Sequence, residues 1–172
     1  MKAITRTLVS FAALFLFSGC SSVGEVQIER NLDTKIDHGA VASLSVQPDK
    51  SMERTEAVLE AVQRLRGQLF GRLVSEGVFR QIVHPGDVAR YDINVELLTA
   101  KEVSQGARIF WGVLAGSNEL AIRVQVHDSD TNTVLTSFTA KGTSASHPLS
   151  SESDMDDAIR EVVDEVIVAL SK

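Results

Sequence analysis

The chain has 172 residues, 44% of them hydrophobic, with 17 Lys and Arg against 23 Asp and Glu, a net charge of −6 and a single cysteine. That length suits one domain able to bury a sizeable core. The acidic balance leaves no electrostatic footprint for nucleic acid, and one cysteine excludes an intramolecular disulfide and any multi-cysteine metal site.

At the N-terminus, Lys2 and Arg6 precede an apolar run from Leu8 to Phe17, which ends in Ser18-Gly19-Cys20-Ser21-Ser22. A basic start, a short apolar stretch and small residues at its end are the marks of a secretory signal, and the run is too short to span a bilayer, which takes about 20 residues. Residues 1–19 therefore read as a signal peptide. Ser18-Gly19 before Cys20 resembles a bacterial lipobox, with Phe17 where Leu is usual. The resemblance implies a cut before Cys20, whose sulfur then carries a thioether-linked lipid and whose amine becomes the new terminus. Palmitate-type chains favour the membrane by about 0.8 kcal/mol per buried methylene. Ser21 in place of Asp, by resemblance to Gram-negative sorting rules, implies the outer membrane, with the protein on its periplasmic face. The cut removes Lys2 and Arg6 but no acid, so the mature 153 residues carry −8.

Residues 20–38 are polar and charged without a sustained period and read as a lipidated tether, with Val26 and Ile28 able to add a short edge strand. The domain, 39–172, opens with a strand in which Ala42, Leu44 and Val46 alternate with Ser43 and Ser45. Ser51 is a candidate helix cap, and Val58, Val62, Leu65, Leu69 and Leu73 recur at helical spacing until Gly77, a C-terminal stop. Gly67 and Gly71, four apart in that helix, suit close approach of its own sheet or of another helix or subunit. Val78 to Val83 reads as a short strand, ended by His84-Pro85-Gly86-Asp87. Two strands with clean alternation follow, Tyr91 to Leu97 and Leu120 to His127, then a turn at 128–133 and a strand from Val134 to Thr143. Ser151 or Ser153 starts a last helix whose apolar face runs from Met155 through Ile159, Val162 and Val166 to Leu170. The order β-α-β-β-β-β-α implies a single α+β domain, with two helices packed on one face of a mostly antiparallel sheet.

Catalytic patterns are scarce. His38, His84, His127 and His147 keep no metal-ligand spacing with one another, and no nucleophile elbow or phosphate loop occurs. Asp128-x-Asp130-x-Asn132 begins like a calcium loop, but Thr133 stands where its glycine should be and Thr139 where its closing Glu should be; a hairpin turn explains the same residues. No cofactor and no metal are expected. Asp92 and Glu96 share a strand face and are the one pair that a carboxylate-dependent hydrolase of envelope polymers could use. The segment Gly106–Gly116 is unusual for a connection, since it gathers Arg108, Ile109, Phe110, Trp111 and Leu114 between three glycines. It either caps one end of the core or forms an interaction surface.

The strand opening on Tyr91-Asp92, the second alternating strand into Asp128, and Thr131-Asn132-Thr133-Val134-Leu135 before a Phe-containing strand together resemble a family. It is that of small proteobacterial envelope lipoproteins known only as a domain of unknown function. Its usual turn is Asp-x-x-Thr-Gly-x-Val-Leu; here Asn132 replaces the glycine, which a left-handed conformation allows. The resemblance implies an envelope location and a compact α+β domain and transfers no active site. More loosely, the element order resembles lipoprotein subunits that assist export at the outer membrane. The reading is a non-enzymatic outer-membrane lipoprotein, bound to the membrane through its lipid and partnering another envelope protein or further copies of itself. A structural ring or accessory subunit of an export apparatus is the alternative, ahead of the hydrolase.

Overall fold

The computed structural model describes residues 23–31, 35–101, 117–144 and 154–172. Strands β1 (Val23–Asn31) and β2 (Val41–Pro48) precede helix α1 (Glu56–Ser75); strands β3 (Gln81–Val83), β4 (Tyr91–Lys101), β5 (Asn118–Asp128) and β6 (Thr133–Ser144) follow, and helix α2 (Asp154–Leu170) ends the fold. The six strands form one sheet in the order β1-β6-β5-β4-β2-β3. Pairing is antiparallel from β1 through β4, whereas β2 lies parallel to both β3 and β4. The α+β class, with two helices on a mostly antiparallel sheet, is the one that the patterning implied. The parallel pair β2–β3 has a simple cause: parallel neighbours need a crossover, and α1 supplies it.

Part of the expected tether is instead a strand. Val26 and Ile28 alternate with Glu25, Gln27 and Glu29, and this period of two pairs β1 with β6 from Val23↔Thr143 to Asn31↔Thr136. Helix α1 also begins later than Ser51 suggested. Thr55 is its cap, with Oγ1 accepting from the Val58 amide, while Ser51 donates to Asp49 in the preceding turn. The stop at Gly77 holds, in a left-handed conformation at φ +70° that suits glycine. Asn132 is likewise left-handed, at φ +54°, in the position where the family turn carries glycine.

The core lies between the helices and one face of the sheet. Every second residue of the long strands enters it: Tyr91, Ile93, Val95 and Leu97 from β4, and Leu120, Ile122, Val124 and Val126 from β5. Leu65, Leu69 and Leu73 of α1 and Ile159, Val162, Val163 and Val166 of α2 close it from above. Burial of this kind is the main favourable term, at roughly 25 cal/mol per Å² of apolar surface. Arg64–Asp156 at 3.1 Å and Arg72–Asp164 at 2.9 Å bridge the helices on their outer side. Helix α2 sits closer to the sheet than side chains would allow. A Cβ at Gly142 would collide with the Ala158 carbonyl oxygen, and one at Gly24, paired with Gly142, would meet the Glu165 carboxylate. Gly67 and Gly71 behave oppositely: they lie on the exposed side of α1, and among the described residues nothing stands within 4 Å of the added atom.

Candidate functional site

The face of the sheet opposite the helices is where the polar side chains of the strands converge. Because the side-chain period is two, successive register pairs along these strands point alternately into the core and to the opposite face. Ser43 stands beside Asp92, Ser45 beside Asn94, Glu96 beside Arg123 and Gln125 beside Ser137. Three carboxylates of this face, Asp92, Glu96 and Glu29, are engaged. Ser43 Oγ donates to Asp92 Oδ1 at 2.5 Å and Ser129 Oγ to Asp92 Oδ2 at 2.8 Å. Arg123 lies between two acids, with Nη1 at 3.4 Å from Glu96 Oε2 and Nε at 3.7 Å from Glu29 Oε1. Glu29 also accepts from Thr139 Oγ1 at 2.8 Å and Ser137 Oγ at 3.0 Å. Those hydroxyls, with the Arg123 charge, hold its carboxyl below the usual carboxylate range. Asp92 and Glu96 therefore share a face, as their spacing implied, but each has its own partners and they do not form one pair.

The turn at one end of this face is tied by a cation. Asp128 Oδ1 accepts from the amides of Asp130 and Thr131, both at 3.0 Å, while Oδ2 accepts from Arg90 Nη2 at 2.7 Å. Arg90 also pairs with Asp130, and its guanidinium stands 5.7 Å from the centroid of the Tyr91 ring. The Thr131 amide first, and the Arg90 charge after it, keep the Asp128 carboxyl below its ordinary value. The acids that imitate a calcium loop are thus spent on a hairpin and an arginine. Among the described residues no three His, Cys, Asp or Glu side chains gather at a metal-binding distance, and no helix is long and apolar enough to cross a membrane.

Of the histidines, His38 Nδ1 is 2.9 Å from the Val78 carbonyl oxygen and His84 Nδ1 is 3.1 Å from Arg66 Nη2; His127 lies on the polar face, in register with Asp92. His147 lies outside the described residues, as do Cys20 and the whole Gly106–Gly116 segment, with Arg108, Ile109, Phe110, Trp111 and Leu114. Arg90 and Glu29 were missed from the sequence. Glu29 was signalled by the alternation of residues 25–29; Arg90 had no local signal, since its partners come from 38 and 40 positions away.

A family model described as Domain of unknown function (DUF4410) matches residues 27–148, and the chain belongs to that family. No match is found among curated proteins. Among solved structures, the chain resembles the PelC dodecamer from Paraburkholderia phytofirmans in two crystal forms. One form, at 15% identity, has a TM-score of 0.57; the other, a single-substitution variant at 16% identity, has 0.55. Each match covers 86% of this chain and 97% of that one. Protein XCC0632 from Xanthomonas campestris, of the family DUF330, is 10% identical over 76% of this chain and 80% of its own, with a TM-score of 0.48. At these identities the likeness is one of fold.

Proposed function

We propose that this protein is a lipid-anchored component of the outer membrane, facing the periplasm, which acts by binding another envelope component and carries out no reaction of its own. The observation that supports it most is the short distance from the lipobox-like cysteine to the fold. Strand β1 begins at Val23, so a lipid on Cys20 would be followed by two residues and then by the sheet. At about 3.5 Å per residue, the sheet edge would stand roughly 10 Å from the lipid. A domain held that close to a bilayer works at the membrane surface. The occupied carboxylates of the polar face support the non-catalytic part, because neither Asp92 nor Glu96 is left to work as an acid beside the other. Cys20→Ala tests the anchor: the protein should leave the membrane fraction and lose its lipid. An unchanged membrane fraction would refute it.

A second reading, self-association into a ring or accessory assembly, draws on one observation, the fold shared with a protein that forms dodecamers. Trp111 is the residue through which we test it. Trp111→Ala should lower association, read by light scattering, by about 2 kcal/mol or more if it anchors an interface. A loss of roughly 3–5 kcal/mol in stability with association intact would place it in the core instead.

A further inference from the structure

The helix layer does not cover the whole sheet. Six strands about 4.8 Å apart span roughly 24 Å, and two helices packed at about 10 Å cover less than that. Among the described residues, part of the margin lies at β1, where Ile28 on the helix side is exposed. There, β1 and β6 form the floor and the C-terminal half of α2 forms one wall of a groove of about 420 Å³. Val26, Ile28, Ile36 and Val168 supply its accessible apolar surface, over the buried Phe138 and Leu135. Ile28 and Val168 are 57% and 53% exposed, among the most exposed large apolar side chains described. Both belong to this groove, one from the floor and one from the wall.

The charges are arranged by end. Glu165 lies beside Gly24, near the start of β1. Lys35, four residues beyond the end of β1, and Lys172, two beyond the end of α2, line the groove where both elements finish, together with His38. An apolar trough with cations at one end suits an alkyl chain that terminates in an anion. We infer that the groove binds a single-chain anionic amphiphile of the fatty-acid class, with its alkyl chain along Val26, Ile28, Ile36 and Val168 and its carboxylate at Lys35 and Lys172. Glu165 repels the carboxylate from the opposite end and so fixes the orientation. The volume is in the range of small-molecule sites, about 300–1,000 Å³. This site goes beyond the proposed partner-binding role and does not depend on it.

The test is a titration of full-length Cys20→Ala protein, which has no acyl chain of its own to compete, with the fluorescent fatty acid cis-parinarate. Saturable one-to-one binding is expected, with competing saturated acids gaining about fourfold in affinity per methylene until the groove is filled. The methyl ester should bind more weakly, as should parinarate to the Lys35→Glu, Lys172→Glu double variant. Ile28→Asp should abolish binding; its site is exposed, so its thermal melt should match the parent's. The inference is overturned by non-saturable binding, by an Ile28→Asp protein that binds normally, or by an ester that binds as well as the acid. It is also overturned if Ile28→Asp dissociates oligomers that fatty acid leaves intact, which would give the groove to a second copy. Failure of the anchor would appear only in membrane fractionation, and failure of this site only in the titration.

Discussion

The two edges of the sheet are built differently. At one, β3 contributes three residues, pairs parallel to β2, lies against α1 and ends in the His84–Asp87 turn with Gly86 at φ +95°. At the other, β1 presents nine residues, with α2 against its start, where Glu165 lies over Gly24. An open strand edge is a template for unwanted pairing, which proteins blunt by shortness, charge or bulges. The β3 edge relies on shortness. The β1 edge relies on Glu25 and Glu29 and on a register shift between Ile28 and Arg30. Among the described residues, the groove lies along the long edge.

The largest way to break this contrast is to lift α2 from the β1 edge. Gly142→Ala puts a methyl against the Ala158 carbonyl and within 3.0 Å of the Val162 amide nitrogen, both backbone atoms that cannot swing aside. Urea unfolding should show a loss of about 1–3 kcal/mol. The converse applies on α1, where an added methyl at Gly67 or Gly71 meets open space. Each change to Ala should raise stability by about 0.5–1 kcal/mol. A destabilised Gly71→Ala protein would show that this face of α1 is covered in solution.

The smallest effect concerns the polar ties of β1. Glu29 has its carboxyl lowered from an ordinary 4.5 by the Thr139 and Ser137 hydroxyls and by Arg123. A depressed acid stabilises the fold above its unfolded value, and that contribution is lost as pH falls through the folded value. The stability gap between the parent and Glu29→Gln should therefore be constant near neutral pH and close progressively below about 4.5. Because Glu29 is exposed, the gap should stay under about 1 kcal/mol. A gap that persists at pH 3 would show that the carboxylate is not what holds β1.

Much of the domain was legible because its elements have strong periods. The β4 and β5 strands alternate cleanly along their inner lengths, and the apolar faces of α1 and α2 follow helical spacing to their ends. Asn132 could be assigned a left-handed conformation from its place in the family turn. What was not legible depended on distant partners. The Ser51 cap gave way to Thr55 because Ser51 is drawn into the Asp49 turn, and the two residues are comparably good caps in isolation. The strand at residues 23–31 was obscured by its charges, since an edge strand with one uncovered face lacks the apolar content by which inner strands are recognised. The engagement of Asp92, Glu96 and Asp128 rests on side chains brought in by register, and no spacing within a strand could show it.

The pairing of β1 has a consequence for how the molecule forms. Its partner β6 is among the last strands made: the bond from Ser137 to Glu29 joins residues 108 positions apart, and that from Thr139 joins residues 110 apart. Contacts of such separation carry a large loop-closure cost, which slows them. The first strand synthesised is thus among the last to be docked. During that interval Val26 and Ile28 have no partner, and the acids on either side of them keep the waiting segment soluble.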